Sequence, residues 1–122
     1  MNRGEFGLNL LGIEGWSTKK YTDAERERLI PQLAESEPWQ TKCTIAMEEC
    51  AELIQEISKM IQKGEKGFDI WTPHQFGLLE EMADVYICLR YLQCIFKIDD
   101  FVMEDAIDIK LRREAERSKI DE

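Results

Sequence analysis

The chain has 122 residues, of which 43% are hydrophobic and 34% charged, and its formal net charge is -9. That length suits one domain with a modest core, and the composition is that of a folded globular chain. The acidic balance excludes a protein that coats nucleic acid or clings electrostatically to anionic lipid, but not one with a small anionic substrate, because a bound cation reverses the local field.

Residues 1–20 hold four of the seven glycines and read as an irregular N-terminal arm. Its apolar residues Phe6, Leu8, Leu11 and Trp16 could dock on the body or on a partner subunit. Residues 21–122 read as a single helical domain. The start of the chain makes a poor signal peptide: Phe6–Ile13 is broken by Gly7, Asn9 and Gly12, and Glu14 follows. The longest run with little charge, Met82–Phe96, contains Asp84 and Arg90 and is too short to cross a bilayer. A cytoplasmic protein without membrane partners is the expectation.

The first helix should begin near Asp23, where Thr22-Asp23-Ala24-Glu25 forms a capping box. Pro31 should end or kink it. Ser36-Glu37-Pro38 signals a second start, with proline in the first turn. From Trp39 to about Lys63, Cys43, Ala46, Met47, Cys50, Leu53, Ile54, Ile57 and Ile61 recur at three- and four-residue steps, which makes one apolar stripe. Gly64 then stops the helix.

After a loop with Gly67 and Trp71, Thr72-Pro73-His74-Gln75 restarts helix, with a cap and proline at the first helical position. This helix should reach about Phe96. It is apolar on nearly every side, so it belongs at the centre of the bundle or at a subunit interface. Ile98-Asp99-Asp100 is a turn, and the last helix runs from about Asp100 to Ser118. Its acids come first and its bases last, as the helix dipole favours. Ala106, Ile107 and Leu111 should face the core. No strand pattern is present. The fold class is all-α, a helical bundle with three main helices and a shorter one before them.

Cys43, Cys50, Cys88 and Cys94 form no Cys-x-x-Cys pair, and the single histidine, His74, is near none of them. A zinc site is not indicated, and buried free thiols are expected. Trp39, Trp71 and Tyr86 could stack on a base, but aromatic residues at such places commonly serve the core.

Two acidic repeats carry the chemistry. Glu48-Glu49-Cys50-Ala51-Glu52 and Glu80-Glu81-Met82-Ala83-Asp84 both read Glu-Glu-x-x-acid, with 28 residues between Glu52 and Glu81. A three-residue step places Glu49 and Glu52 on nearly one helix face, and likewise Glu81 and Asp84. If the two helices pack antiparallel, the pairs meet. Carboxylates at close range repel unless neutralised. Mg2+, or Mn2+ in its place, suits such an all-oxygen set and commonly works with substrate phosphates. The plain alternative is a solvated helix face, and Glu56 with Lys59 should be an ordinary intrahelical ion pair. Asp84 is harder to read so, because it shares its face with Cys88 and Ile95. A di-iron bundle needs Glu-x-x-His on two helices, a spacing that His74 does not provide.

The stretches EECAELIQEISK and EEMADVYICLRYL resemble the two central helices of the all-α NTP pyrophosphatase superfamily, the MazG-like and dimeric dUTPase-like enzymes. The resemblance spans about residues 39–117. It implies a MazG-like helical bundle, assembled as a homodimer or homotetramer with sites often at subunit contacts. It also implies Mg2+-dependent hydrolysis of nucleoside triphosphates (NTP or dNTP) to the monophosphate and pyrophosphate. Carried over, Glu49, Glu52, Glu81 and Asp84 would hold metal, and metal-activated water would attack the α-phosphate. Glu49 is the expected general base, with Glu48 behind it. Lys110 and Arg117 fit the family's phosphate-binding lysine and arginine, and Arg113 joins them. Glu114 stands where the family often has asparagine, which is a departure. Lys59, on the helical side bearing Glu52, is a further candidate for the phosphates. The competing readings are a non-catalytic helical interaction module and a different metal-dependent phosphohydrolase.

Overall fold

The computed structural model describes residues 20–63 and 73–120. These form four helices: α1 (Asp23–Ala34), α2 (Trp39–Lys63), α3 (Pro73–Ile95) and α4 (Asp100–Arg117). No strand occurs among the described residues, so the all-α expectation holds.

The helix ends follow local chemistry. At α1 the capping box is complete: Glu25 N–H donates to Thr22 Oγ1 at 3.1 Å, and Thr22 N–H donates to Glu25 Oε1 at 2.9 Å. Pro31 does not end α1, which runs three residues further to Ala34. Proline there forgoes one hydrogen bond, to the Glu27 carbonyl one turn back, and the helix continues past it. Pro38 immediately precedes α2 rather than lying within it, and its carbonyl accepts from Thr41 and Lys42. The Thr72 cap of α3 lies outside the described residues, as do residues 1–19, the 64–72 loop with Trp71, and residues 121–122.

Between α3 and α4, Lys97 takes a positive φ of 58° and Ile98 N–H donates to Gln93 O at 2.9 Å. This is a Schellman stop built on lysine where glycine is usual. Asp99 then caps α4, accepting from Val102 N–H at 2.9 Å.

Helix α3 is central, packed between α1 and α2. The α2–α3 pair is antiparallel, and its register can be read from side chains. Lys42 lies over the Tyr91 ring at 4.7 Å, Glu49 faces Asp84, Glu52 faces Glu81, and Glu56 faces Gly77. Each step along α2 is matched by an equal step back along α3. On the far side of α3, Ala83, Tyr86 and Ile87 line a groove of about 450 Å3 with Leu29, Ile30 and Leu33 of α1. Arg90 ties three elements together, reaching Glu27 on α1 at 3.4 Å and Asp100 at the start of α4 at 3.7 Å. Burial works against its charge, but Asp100 and Glu27 outweigh it and raise its pKa.

The core is thin. Among the described residues the buried hydrophobic ones are Ala34, Ala46 and Cys88. Much of the α2 stripe is uncovered, with Met47 and Ile61 more than 70% exposed. The expectation that Ala106, Ile107 and Leu111 face the core fails. No residue of α4 is buried, and Leu111 is 61% exposed. The reason is that α4, after its anchor at Asp100, packs only sparsely against α1, α2 and α3. The thiols also depart from expectation. All four are free, but only Cys88 is buried, and Cys50 is exposed.

Candidate functional site

The acidic site is made by the register of two helices. In α2, Glu49 and Glu52 are one step apart on the face turned to α3, and Glu81 meets them from α3. One carboxylate oxygen from each of Glu49, Glu52 and Glu81 falls within 4.8 Å of the others. Asp84 flanks this group against Glu49.

Burial divides the four acids. Glu49 and Glu81 are half-buried, while Glu52 and Asp84 are exposed. One oxygen of Glu49 and one of Glu81 are shut off from solvent without any hydrogen-bond partner. Such orphaned acceptors are costly.

The electrostatics follow from this crowding. Burial first, then the charges of Asp84, Glu52 and Glu81, raise the Glu49 pKa from 4.5 to about 7. Glu81 is also raised, by burial and then by Glu52 and Asp84. Behind them, burial first and then Glu49 and Asp84 push the Cys88 thiol up. The site therefore holds excess negative charge that protons partly neutralise near pH 7.

The donor set fits a hard divalent cation. It is all carboxylate oxygen, and its three members converge within 4.8 Å. The two orphaned oxygens are acceptors that a cation would satisfy.

The other sequence candidates are placed unevenly. Glu48, on α2 beside Glu49, is exposed and outside the group of three. Lys59 belongs to the seam: its Nζ donates to Glu56 Oε1 at 3.0 Å, as expected of that pair. Lys110, Arg113 and Arg117 lie on exposed α4, sharing a shallow groove with Glu114 and Glu116. Arg117 is ion-paired with Glu114. Among the described residues, no hydrogen bond or ion pair joins these three cations to the four acids. His74 is half-buried in the first turn of α3. Trp39 packs edge-on against Phe96 at 6.1 Å, and Tyr86 is 60% exposed on the α1 side of α3, away from the acids.

Two features of the seam escape a reading of the sequence. Lys42 is buried, with 7% exposure, between Glu37 at 3.2 Å and the Tyr91 ring. Its signal was a position one turn before Ala46, on the stripe itself. Gly77 lies directly against the Glu56 carboxylate. Its signal was a lone glycine inside a helical pattern, which commonly marks close packing.

No family model, no curated protein and no solved structure matches the chain.

Proposed function

We propose that the protein is a Mg2+-dependent nucleoside triphosphate pyrophosphohydrolase of the MazG-like type, working as a homo-oligomer. The convergence of Glu49, Glu52 and Glu81, with two buried oxygens lacking partners, carries this reading. Its other support is the resemblance of the two acid-bearing helices to that superfamily.

In this reading Glu49, Glu52, Glu81 and Asp84 hold the cation. When bound, Mg2+ supplies neutralising charge, polarises phosphoryl oxygens and acidifies water. The protein's own part is positional and basic. Glu49, which converges with Glu52 and Glu81, is the general base of this reading. It takes a proton from the attacking water as the water oxygen bonds to the α-phosphorus. The bond from that phosphorus to the bridging oxygen breaks, and pyrophosphate leaves with the electron pair. Glu48, exposed on α2 beside Glu49, stands behind it as the second candidate for the general base.

The bare apolar stripe on α2 and the unpacked α4 support assembly with further copies of the chain. A bundle this thin gains its missing core by burying such faces. Within one chain Lys110, Arg113 and Arg117 stand apart from the acids, so a role for them on the substrate phosphates requires that assembly.

One observation favours the rival, a non-catalytic interaction module: Glu114, where the family often has asparagine, places an acid beside Arg117. Pyrophosphate release from a panel of NTPs and dNTPs, with Mg2+ and then with EDTA, decides between them. Metal-dependent release with the matching monophosphate is expected. Orthophosphate release points to another phosphohydrolase. Silence across the panel favours the module.

A further inference from the structure

Gly77 is helical, so its backbone makes no demand for glycine, and glycine is otherwise unfavourable inside a helix. The demand comes from α2. A β-carbon at Gly77 would stand 2.9 Å from Glu56 Oε2 and 3.3 Å from Glu56 Cδ. With a bare α-carbon there, that carboxylate rests against α3, and a β-carbon would make its flexible end shift.

The other Glu56 oxygen holds Lys59 Nζ at 3.0 Å. The two side chains differ in exposure, 19% for Glu56 and 53% for Lys59. An ordinary surface pair has two mobile, solvated partners. Here the acid rests against the neighbouring helix and the ammonium is the more exposed partner. Along the seam, Glu56 follows Glu52 by one helical turn, about 6 Å.

From this geometry we propose that Gly77 and Glu56 form a seat that positions Lys59 to bind the phosphates extending from the acidic centre. Lys59 touches the substrate, whereas Glu56 and Gly77 are positioning residues acting through it. The inference rests on the metal-centred reading above and adds to it the side from which the polyphosphate is held.

The test is calorimetric binding to the full chain, first of Mn2+ alone, then of inorganic tripolyphosphate at saturating Mn2+. The expected result is that Lys59→Met leaves Mn2+ binding intact and weakens tripolyphosphate roughly tenfold, the loss of one charge-assisted bond. Gly77→Ala, which changes no charge, should weaken it about threefold and add nothing in the Lys59→Met background. A merely structural role for Gly77 would persist in that background. Glu56→Ala, which removes the anchor without a clash, guards against misfolding of Gly77→Ala and should also weaken binding.

Tripolyphosphate binding untouched by Lys59→Met overturns the inference and leaves the metal centre standing. So does an affinity that rises in Glu56→Ala, where only a repelling charge would have gone, or an equal Gly77→Ala effect with and without Lys59. Wild-type protein that takes up Mn2+ but no tripolyphosphate overturns it too. Failure to bind Mn2+ at all overturns the metal-centred reading and this inference with it.

Discussion

Glu49 on α2 and Asp84 on α3 confront each other across the seam. After burial, Asp84 is the largest influence raising the Glu49 pKa to about 7. Two carboxylates from different helices thus share a place where one of them readily holds a proton. That proton and a metal cation compete for the same oxygens.

The competition sets a pH dependence. Glu49 binds its proton more tightly folded than unfolded, so its contribution to stability is complete below pH 4.5 and is lost as pH rises to about 7. Metal-free protein should therefore lose thermal stability across that window. Mg2+ should restore it more at pH 8 than at pH 5. Mn2+ affinity should fall about tenfold per pH unit below 7. Thermal melts and Mn2+ titrations at pH 5, 6, 7 and 8 check both signs.

Glu81→Gln separates stability from metal binding. It removes one of the clustered charges, so the metal-free melting temperature should rise by about 3 °C. Mn2+ affinity should drop at least tenfold, since a direct ligand is lost. A melt and a titration on the same preparation measure the two effects.

Glu52→Gln should abolish turnover, by at least about a hundredfold, while helical content by circular dichroism stays unchanged. Glu52 is exposed, so its loss leaves no buried defect. Activity retained in this variant would remove Glu52 from the site.

Lys42 holds the other end of the seam. Lys42→Ala loses the packed stem, the contact with Tyr91 and the pair with Glu37, and should cost about 2 kcal/mol. Lys42→Met keeps the stem and should cost about half as much. Glu37 is largely solvated, so no buried charge is stranded in either variant. Urea unfolding gives both values.

Assembly should depend on the bare stripe. Ile54→Glu and Ile61→Glu place charge where Ile54 is 66% and Ile61 74% exposed. A monomer would tolerate either change, because surface substitutions usually stay within about 0.5 kcal/mol. An oligomer built on that face should dissociate, and light scattering on the eluting peak reports which occurs.

Much of the architecture was legible from the chain itself. The Thr22–Glu25 box, the α2 periodicity, proline at the start of α3 and Asp99 before α4 are local signals, and helix formation is decided largely by neighbours three and four residues apart. The acid repeats were visible for the same reason: their spacing is a property of one helix at a time. The Glu56–Lys59 pair, also local, formed as its spacing implied.

Only the tertiary structure decided which residues face one another. That Glu52 meets Glu81, that Lys42 is covered by Tyr91 and that Glu56 rests against Gly77 all follow from one antiparallel register, which no single helix encodes. Pattern also misjudged α4, whose apolar residues implied a core that the chain alone does not provide. Periodicity shows that a helix has a face to bury. What buries it depends on the direction the chain takes after Lys97, and that belongs to the tertiary structure.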